Sequence, residues 1–435
     1  MIKKQNKIST LLISLFILGS LLFIIKNISK SWSGIRVDFP SFYYATDLAF
    51  NGVSPYNLEI WEAVKLIHLP NQDLYPFLHI PFSLILFYPL SLVDFQVSQS
   101  ILFIVNIVAT FLMIYLIFIR ILKKSIMDPF VTIGGIFVLI FFPPVWETIS
   151  NGQVNIIVVV LICTFWWALK ENKSSLAISL PLAVSILLKV YPGIFLLYFF
   201  TKKNFKYILL TVGIIVLFSV AAFLIFPTEI WTDWYSTVGR IKYGGVFARR
   251  IPSWKVGNQS LNGFITRFFL GARNRQIASI SDNIFKLNWQ QKRNASLILG
   301  YLSSGFLLLI WLFLVRRKKI DARNETRSDL EISMLLLTMY LVAPISWDHH
   351  LVFILPSIFV LLNHFISNNS LGGSFWVVVI LSVILSVNIN LSQPIFQDGL
   401  IGIFVSMHFF SVLGIWFINL LTLHNSSRIN EPASL

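Results

Sequence analysis

Apolar runs near bilayer-spanning length recur along this chain from residue 8 to residue 421, and they restrict its fold more than any single motif does. Hydrocarbon offers no hydrogen-bond partners, so each crossing segment must satisfy its own backbone. A helix of about 20 apolar residues does so. With 56% hydrophobic and 12% charged residues in 435, too little polar surface remains for a soluble domain. The expected fold is an all-α polytopic membrane protein, a single integral membrane domain over 1–435. Cys163 is the only cysteine and lies inside an apolar run, which excludes disulfides and thiolate metal sites.

The N-terminal "MIKKQNK" starts like a signal peptide, but the apolar stretch from Ile8 to Ile25 is too long and no small-residue cleavage site follows. We read it as an uncleaved first span with its N-terminus in the cytoplasm, which places Asp38 outside. Further spans are expected near 98–119, 130–146, 153–169, 175–189, 191–201, 206–226, 295–315, 329–345, 349–367, 373–391 and 400–421, about twelve in all. Two ambiguities are resolved by charge. If "YPFLHIPFSLILFYPLSLV" (75–93) crossed, Arg120, Lys123 and Lys124 would lie outside, and Pro76, Pro81 and Pro89 interrupt any straight helix. Residues 27–97 are therefore read as an outer loop with juxtamembrane or re-entrant helices. In "SLAISLPLAVSILLKVYPGIFLLYFFTKKNFK", Lys189 before Tyr191-Pro192 indicates a short hairpin, which leaves Lys202, Lys203 and Lys206 inside. About 18 Lys/Arg then fall inside and about 5 outside, setting aside the long 227–294 loop with its 11 Lys/Arg and 3 acids. That loop makes the outer face basic. The inner "RRKKIDARNETR" (316–327) reads as ordinary positive-inside anchoring.

The polar clusters hardest to explain as packing all fall on the outer side: "DFPSFYYATD" (38–47), "YPF" (75–77), "WETISNGQVN" (146–155), "LLKVYPG" (187–193), "RRIPSW" (249–254), "NQSLNGFITR" (258–267) and "APISWDHH" (343–350). Asp38 at the membrane–water boundary is partly desolvated, a setting for a general base; capping of the following helix is the plain alternative. Asp47 reads as structural. Tyr43 and Tyr44 are candidates for sugar stacking or for an interfacial aromatic belt. Gln153 and Asn155 offer amides to hydroxyl groups, with Ser150 or Asn151 as alternative helix caps. Lys189 is costly in lipid unless it serves a site or snorkels to water. Arg249, Arg250, Lys255 and Arg267, with Asn258, Gln259 and Ser260, suit an anionic, phosphate-bearing ligand or anionic headgroups. Asp348, His349 and His350 suit a phosphate or hydroxyl. They lack HExxH spacing and a cysteine partner, so no metal site is expected. Basic groups without a nucleic-acid fold give no nucleic-acid partner.

In order and spacing, "DFPSFYYATDLAFNGVSPY", the Tyr-Pro segment at 75–90, "NGQVN" followed by "LLKVYPG", "NQSLNGFITR" and "SWDHH" resemble glycosyltransferase family 87, over residues 36 to 360 or so. "YPF" stands where the commoner pattern has Tyr-Pro-Pro. The resemblance implies a GT-C-type bundle and transfer of a hexose, usually mannose, from a polyprenyl-phosphate sugar to a lipid or glycan acceptor. It places the base on Asp38 and the phosphate and acceptor environment near Lys189, Arg267, Asn258, Gln259, His349 and His350. No cofactor is expected. The chain has no Asp-x-Asp, and the basic loop is expected to stand in for a metal in an inverting transfer at the outer face of the cytoplasmic membrane. A transporter or flippase is the rival class, but it wants midplane charges and a repeat, and no convincing repeat is present. A lipid-linked glycan polymerase or ligase shares the outer-face site.

Overall fold

The computed structural model describes residues 22–29, 32, 37–68, 77–238, 243, 246–247, 251–271, 279–315, 325–387, 393, 396 and 399–428. The expected Tyr75-Pro76 pair, Arg249 and Arg250, most of the first span and residues 316–324 lie outside these. The described chain is helical apart from one two-stranded antiparallel ribbon, Val246–Phe247 with Ile251–Pro252. Its helices are α1 (Phe39–Phe50), α2 (Leu58–His68), α3 (Phe82–Ser91), α4 (Phe95–Tyr115, extended by a π turn to Ile121), α5 (Pro129–Ile136), α6 (Pro143–Asn151), α7 (Asn155–Lys170), α8 (Ser175–Leu188), α9 (Phe195–Thr201), α10 (Phe205–Ile225), α11 (Thr228–Thr237), α12 (Leu261–Leu270), α13 (Trp289–Val315), α14 (Glu325–Val342), α15 (Leu355–Ser367), α16 (Gly373–Leu385) and α17 (Met407–Arg428). Short 3-10 turns precede α9 (Tyr191–Ile194), α15 (Asp348–Ile354) and α17 (Gly399–Ser406).

The bundle has two chemically distinct ends, and α7 joins them. Its 16 residues rise about 24 Å. At one end Lys170 donates to the Ile121 carbonyl (2.7 Å) and pairs with Asp329 (2.6 Å), which also accepts from the Trp166 indole (2.9 Å). α8 runs back from there to Lys189, whose extended backbone (φ −144°, ψ 128°) ends the helix two residues before Tyr191. The chain then turns through the 3-10 segment into α9 and returns to Lys202. The hairpin expected from Lys189 and Tyr191-Pro192 is therefore present. Lys202 pairs with Glu331 (2.7 Å) and donates to the Val315 carbonyl (3.1 Å), and Arg327 lies 3.2 Å from the same Glu331. Lys170, Lys202 and Arg327 thus lie at one end of the bundle, each in a largely buried ion pair.

By length and apolarity, five helical stretches among the described residues suffice to cross a membrane: Phe95–Ile121, Phe205–Ile225, Trp289–Val315, Asp348–Ser367 and Gly399–Ser426. A sixth is gained if the bent pair Pro129–Phe141 and Pro143–Asn151 counts as one. The expected count of about twelve also includes the shorter α7, α8, Tyr191–Thr201 and α16, which fall below the length one straight crossing needs. The expected continuous span 130–146 is bent by 52°. Phe142 leaves the helical region (φ −120°, ψ 83°), and Pro143-Pro144, lacking N–H donors, starts a new helix. α3 has ten residues, about 15 Å, and contains Pro89, so 75–93 is no straight crossing. It packs against α1, where Phe42 meets Phe87 and Phe77.

Replacing Glu331 with Ala leaves Lys202 and Arg327 facing each other without the carboxylate that joins them. The variant is expected to lose about 3–5 kcal/mol of stability, read as a lower melting temperature in detergent, and an unchanged melt contradicts this role.

Candidate functional site

The other end of the bundle holds a cavity of about 300 Å³ assembled from segments far apart in sequence: Asp38 and Ser41, Leu78 and His79, Glu147, Asn151 and Gln153, Lys255 and Gly257, and Trp347 to His349. Asp38 occupies the N-cap position of α1, yet its side chain makes no capping hydrogen bond. Its backbone N–H donates to the Asn151 carbonyl (2.9 Å), which locks this turn onto the end of α6. With the backbone so fixed, the half-buried carboxylate is left to the cavity. Asp47, by contrast, is exposed and accepts locally from Asn51 (3.3 Å), a structural role.

"NGQVN" is a helix stop and a turn. Gly152 takes the left-handed conformation (φ 70°) that ends α6, a position an L side chain adopts only at a cost. Ser150 and Asn151 belong to α6 rather than capping α7, whose N-cap position is Val154. The turn directs Gln153 to the cavity, where its buried Oε1 has no hydrogen-bond partner. Asn155 is buried and does not line the cavity; its Nδ2 donates to the His349 carbonyl (3.4 Å), as does the Thr148 hydroxyl (3.0 Å). These bonds position "SWDHH". His349 faces Glu147 through Nδ1 (3.7 Å), and its buried Nε2 has no partner. His350 turns the other way, its Nε2 3.2 Å from Lys189 Nζ. Lys189 is close enough to feel the Asp38 charge.

The motif "NQSLNGFITR" is wired into the backbone. Asn258 Nδ2 donates to the carbonyls of Ser253 (2.9 Å) and Pro344 (3.2 Å), and its Oδ1 accepts from the N–H groups of Ser346 (2.9 Å) and Ser260 (3.2 Å). Gln259 donates to the Val256 and Val405 carbonyls (2.9 and 2.8 Å). Arg267, 3% exposed, donates to the carbonyls of Lys255 (3.0 Å) and Asn258 (2.6 Å) and to Ser406 Oγ (2.8 Å). Burial brings its pKa down to about 10, with Asp348 acting the other way. Gly263 is required because a Cβ there would stand 2.2 Å from the Asn258 carbonyl oxygen. Asn258, Gln259 and Arg267, expected at a phosphate, are thus the frame of the loop, and Lys255 is the cation this loop brings to the cavity. Tyr43 and Tyr44, expected at a sugar, do not line the cavity. Tyr43 donates to the Val93 carbonyl (3.0 Å), and Tyr44 stacks on Phe95.

His79 and Glu147 were not singled out from sequence, although both lie in quoted segments. His79 sits between Phe42 and Phe77, and its Nδ1 donates to the Leu188 carbonyl (2.6 Å). Burial, then the neighbouring Lys189 charge, depress its pKa to about 3. Its ring is neutral, with Nε2 left as an acceptor. Among the described residues no three His, Cys, Asp or Glu side chains are grouped to hold a metal ion.

The bundle thus keeps three carboxyl groups, two imidazoles and a lysine around one cavity at one end. Comparison with known families gives a match: the model of glycosyltransferase family 87 covers residues 77–344, more than half of the chain, and the chain belongs to that family. Two relatives are each described as a "Polyprenol-phosphate-mannose-dependent alpha-(1-2)-phosphatidylinositol mannoside mannosyltransferase". The one from Mycolicibacterium smegmatis (strain ATCC 700084 / mc(2)155) is 23% identical over 228 residues, 51% of this chain and 44% of the relative. The one from Mycobacterium tuberculosis (strain ATCC 25618 / H37Rv) is 22% identical over 222 residues, 51% and 44%. The chain therefore covers less than half the length of these relatives.

A His79 pKa below its unfolded value means that the unfolded chain binds more protons as pH falls from 6.5 towards 3, so this contribution to stability is present above 6.5 and lost below it. The drop in melting temperature between pH 7 and pH 5 is expected to be smaller in His79→Gln than in wild type. Equal drops contradict the assignment.

Proposed function

We propose that this protein transfers a hexose, mannose by analogy with its mycobacterial relatives, from a polyprenyl-phosphate sugar to a lipid or glycan acceptor at the outer face of the cytoplasmic membrane. The observation that supports this most is the meeting of Asp38, uncommitted to capping, with Gln153, Lys255, Asp348 and His349 around one cavity. Its volume of about 300 Å³ is at the small end of ligand sites, as suits a sugar. The prenyl chain would remain among the apolar helices, which is why a sugar enzyme is so hydrophobic.

In this reading the Asp38 carboxylate takes the proton of the acceptor hydroxyl as its oxygen attacks the anomeric carbon. The bond from that carbon to the phosphate oxygen breaks, and its electron pair leaves with the polyprenyl phosphate. Attack opposite the leaving group inverts the anomeric centre. Lys255 and Lys189 carry the positive charge available to the leaving phosphate, so the step needs no divalent ion.

The test is incubation of the purified protein with a radiolabelled polyprenyl-phosphate hexose. Asp38→Asn is expected to lower transfer by roughly 10²–10⁴-fold with an unchanged melt, and full retained activity contradicts its role as base. Wild-type transfer is expected to persist in excess EDTA, whereas loss restored by magnesium refutes the metal-free mechanism.

A further inference from the structure

Behind the main cavity lies a second of about 100 Å³, and the two share Glu147 and Asp348 as a common wall. The smaller one is lined mainly by apolar side chains, among them Pro143, Val256, Leu385 and Met407, and His408 completes it. His408 Nδ1 is 2.9 Å from Asp348 Oδ1, and Nε2 is 3.2 Å from the Val387 carbonyl oxygen. A carbonyl only accepts, so Nε2 carries hydrogen. The Nδ1–Oδ1 contact then holds one more proton, on the ring or on the carboxyl, and the pair is neutral as a unit. The two side chains are unequally covered: His408 is 13% exposed and Asp348 34%. Asp348 Oδ2 is turned towards the cavity loop, 3.7 Å from where a Cβ on Gly257 would stand.

We infer that His408 is a positioning residue for sugar recognition. It holds one oxygen of Asp348 so that the other accepts from a hydroxyl of the bound hexose, and it cancels the Asp348 charge that would otherwise repel the phosphate of the same donor. This role rests on the transferase reading above. The need for it is visible in the cavity wall, which carries three carboxyl groups, Asp38, Glu147 and Asp348. A phosphate-bearing substrate entering beside three uncompensated carboxylates meets a strong electrostatic barrier. Asp38 has Lys189 within reach of its charge. His408 supplies the same service to Asp348 from α17, beyond the family-matched stretch 77–344.

The test is a double-mutant cycle on the full-length protein, with kcat and KM measured for the labelled polyprenyl-phosphate hexose in wild type, His408→Gln, Asp348→Asn and the double variant, alongside melting temperatures. In the wild-type background His408→Gln is expected to lower kcat/KM by about tenfold, mainly through donor KM. In the Asp348→Asn background, which has no charge to cancel, the same change is expected to cost less than about twofold. Equal losses in both backgrounds, or no loss in wild type, overturn the role, as does a loss that only follows a lowered melt. Absence of transfer by the wild type overturns the transferase reading itself and this role with it.

Discussion

One side chain, Asn258, holds the site end of the bundle together. Both its amide hydrogens and its oxygen are committed, to Ser253, Pro344, Ser346 and Ser260, and Arg267 grips its carbonyl from below. Buried polar backbone that is neither helical nor in a sheet needs hydrogen-bond partners from the protein itself. Asn258 does this for two irregular strands at once, the 253–260 loop and the 344–347 turn. It thereby brings Lys255 and Gly257 to the cavity wall beside Trp347, Asp348 and His349. The close approach of Gly263 to the same carbonyl belongs to the same clamp.

The two ends of the bundle use charge in opposite ways. At the Lys202 end, buried cations meet carboxylates at ion-pair distance, and the backbone carbonyls of Ile121, Val315 and Leu314 take further hydrogens. Charge there holds helices to one another. At the Asp38 end, some polar atoms are positioned by their backbones and left unmatched: the Asp38 carboxylate does not cap, and Gln153 Oε1 and His349 Nε2 are buried without a partner. Such groups are costly in an empty cavity and become favourable when a ligand supplies hydroxyls and phosphate.

Much of this was legible in the sequence because a polar residue is conspicuous in an apolar background. Asp38, "NGQVN", Lys189 and "SWDHH" were visible for that reason, and all converge on one end. The division of labour among them was not legible. Asn258, Gln259 and Arg267 look like ligand-binding side chains until tertiary structure shows which carbonyls they face. An amide or guanidinium serves a backbone as readily as a phosphate. Tyr43 and Tyr44 likewise find aromatic neighbours rather than the cavity. His408 gave no signal, being a single imidazole inside the apolar run 400–421, and its partner Asp348 lies 60 residues away. The bend at Pro143 was missed because hydropathy continues through it. That bend is what delivers Glu147 and Asn151 to the site.

The most direct measurement is a cryo-electron microscopy structure of the protein with a phosphonate analogue of a polyprenyl-phosphate hexose, in which the bond that breaks cannot be cleaved. The phosphonate is predicted to lie beside Lys189 and Lys255, with Asp38 on the opposite side of the anomeric carbon. Analogue density at the Lys202 end, or anywhere that leaves the Asp38 cavity empty, would contradict the assignment of this cavity as the transfer site.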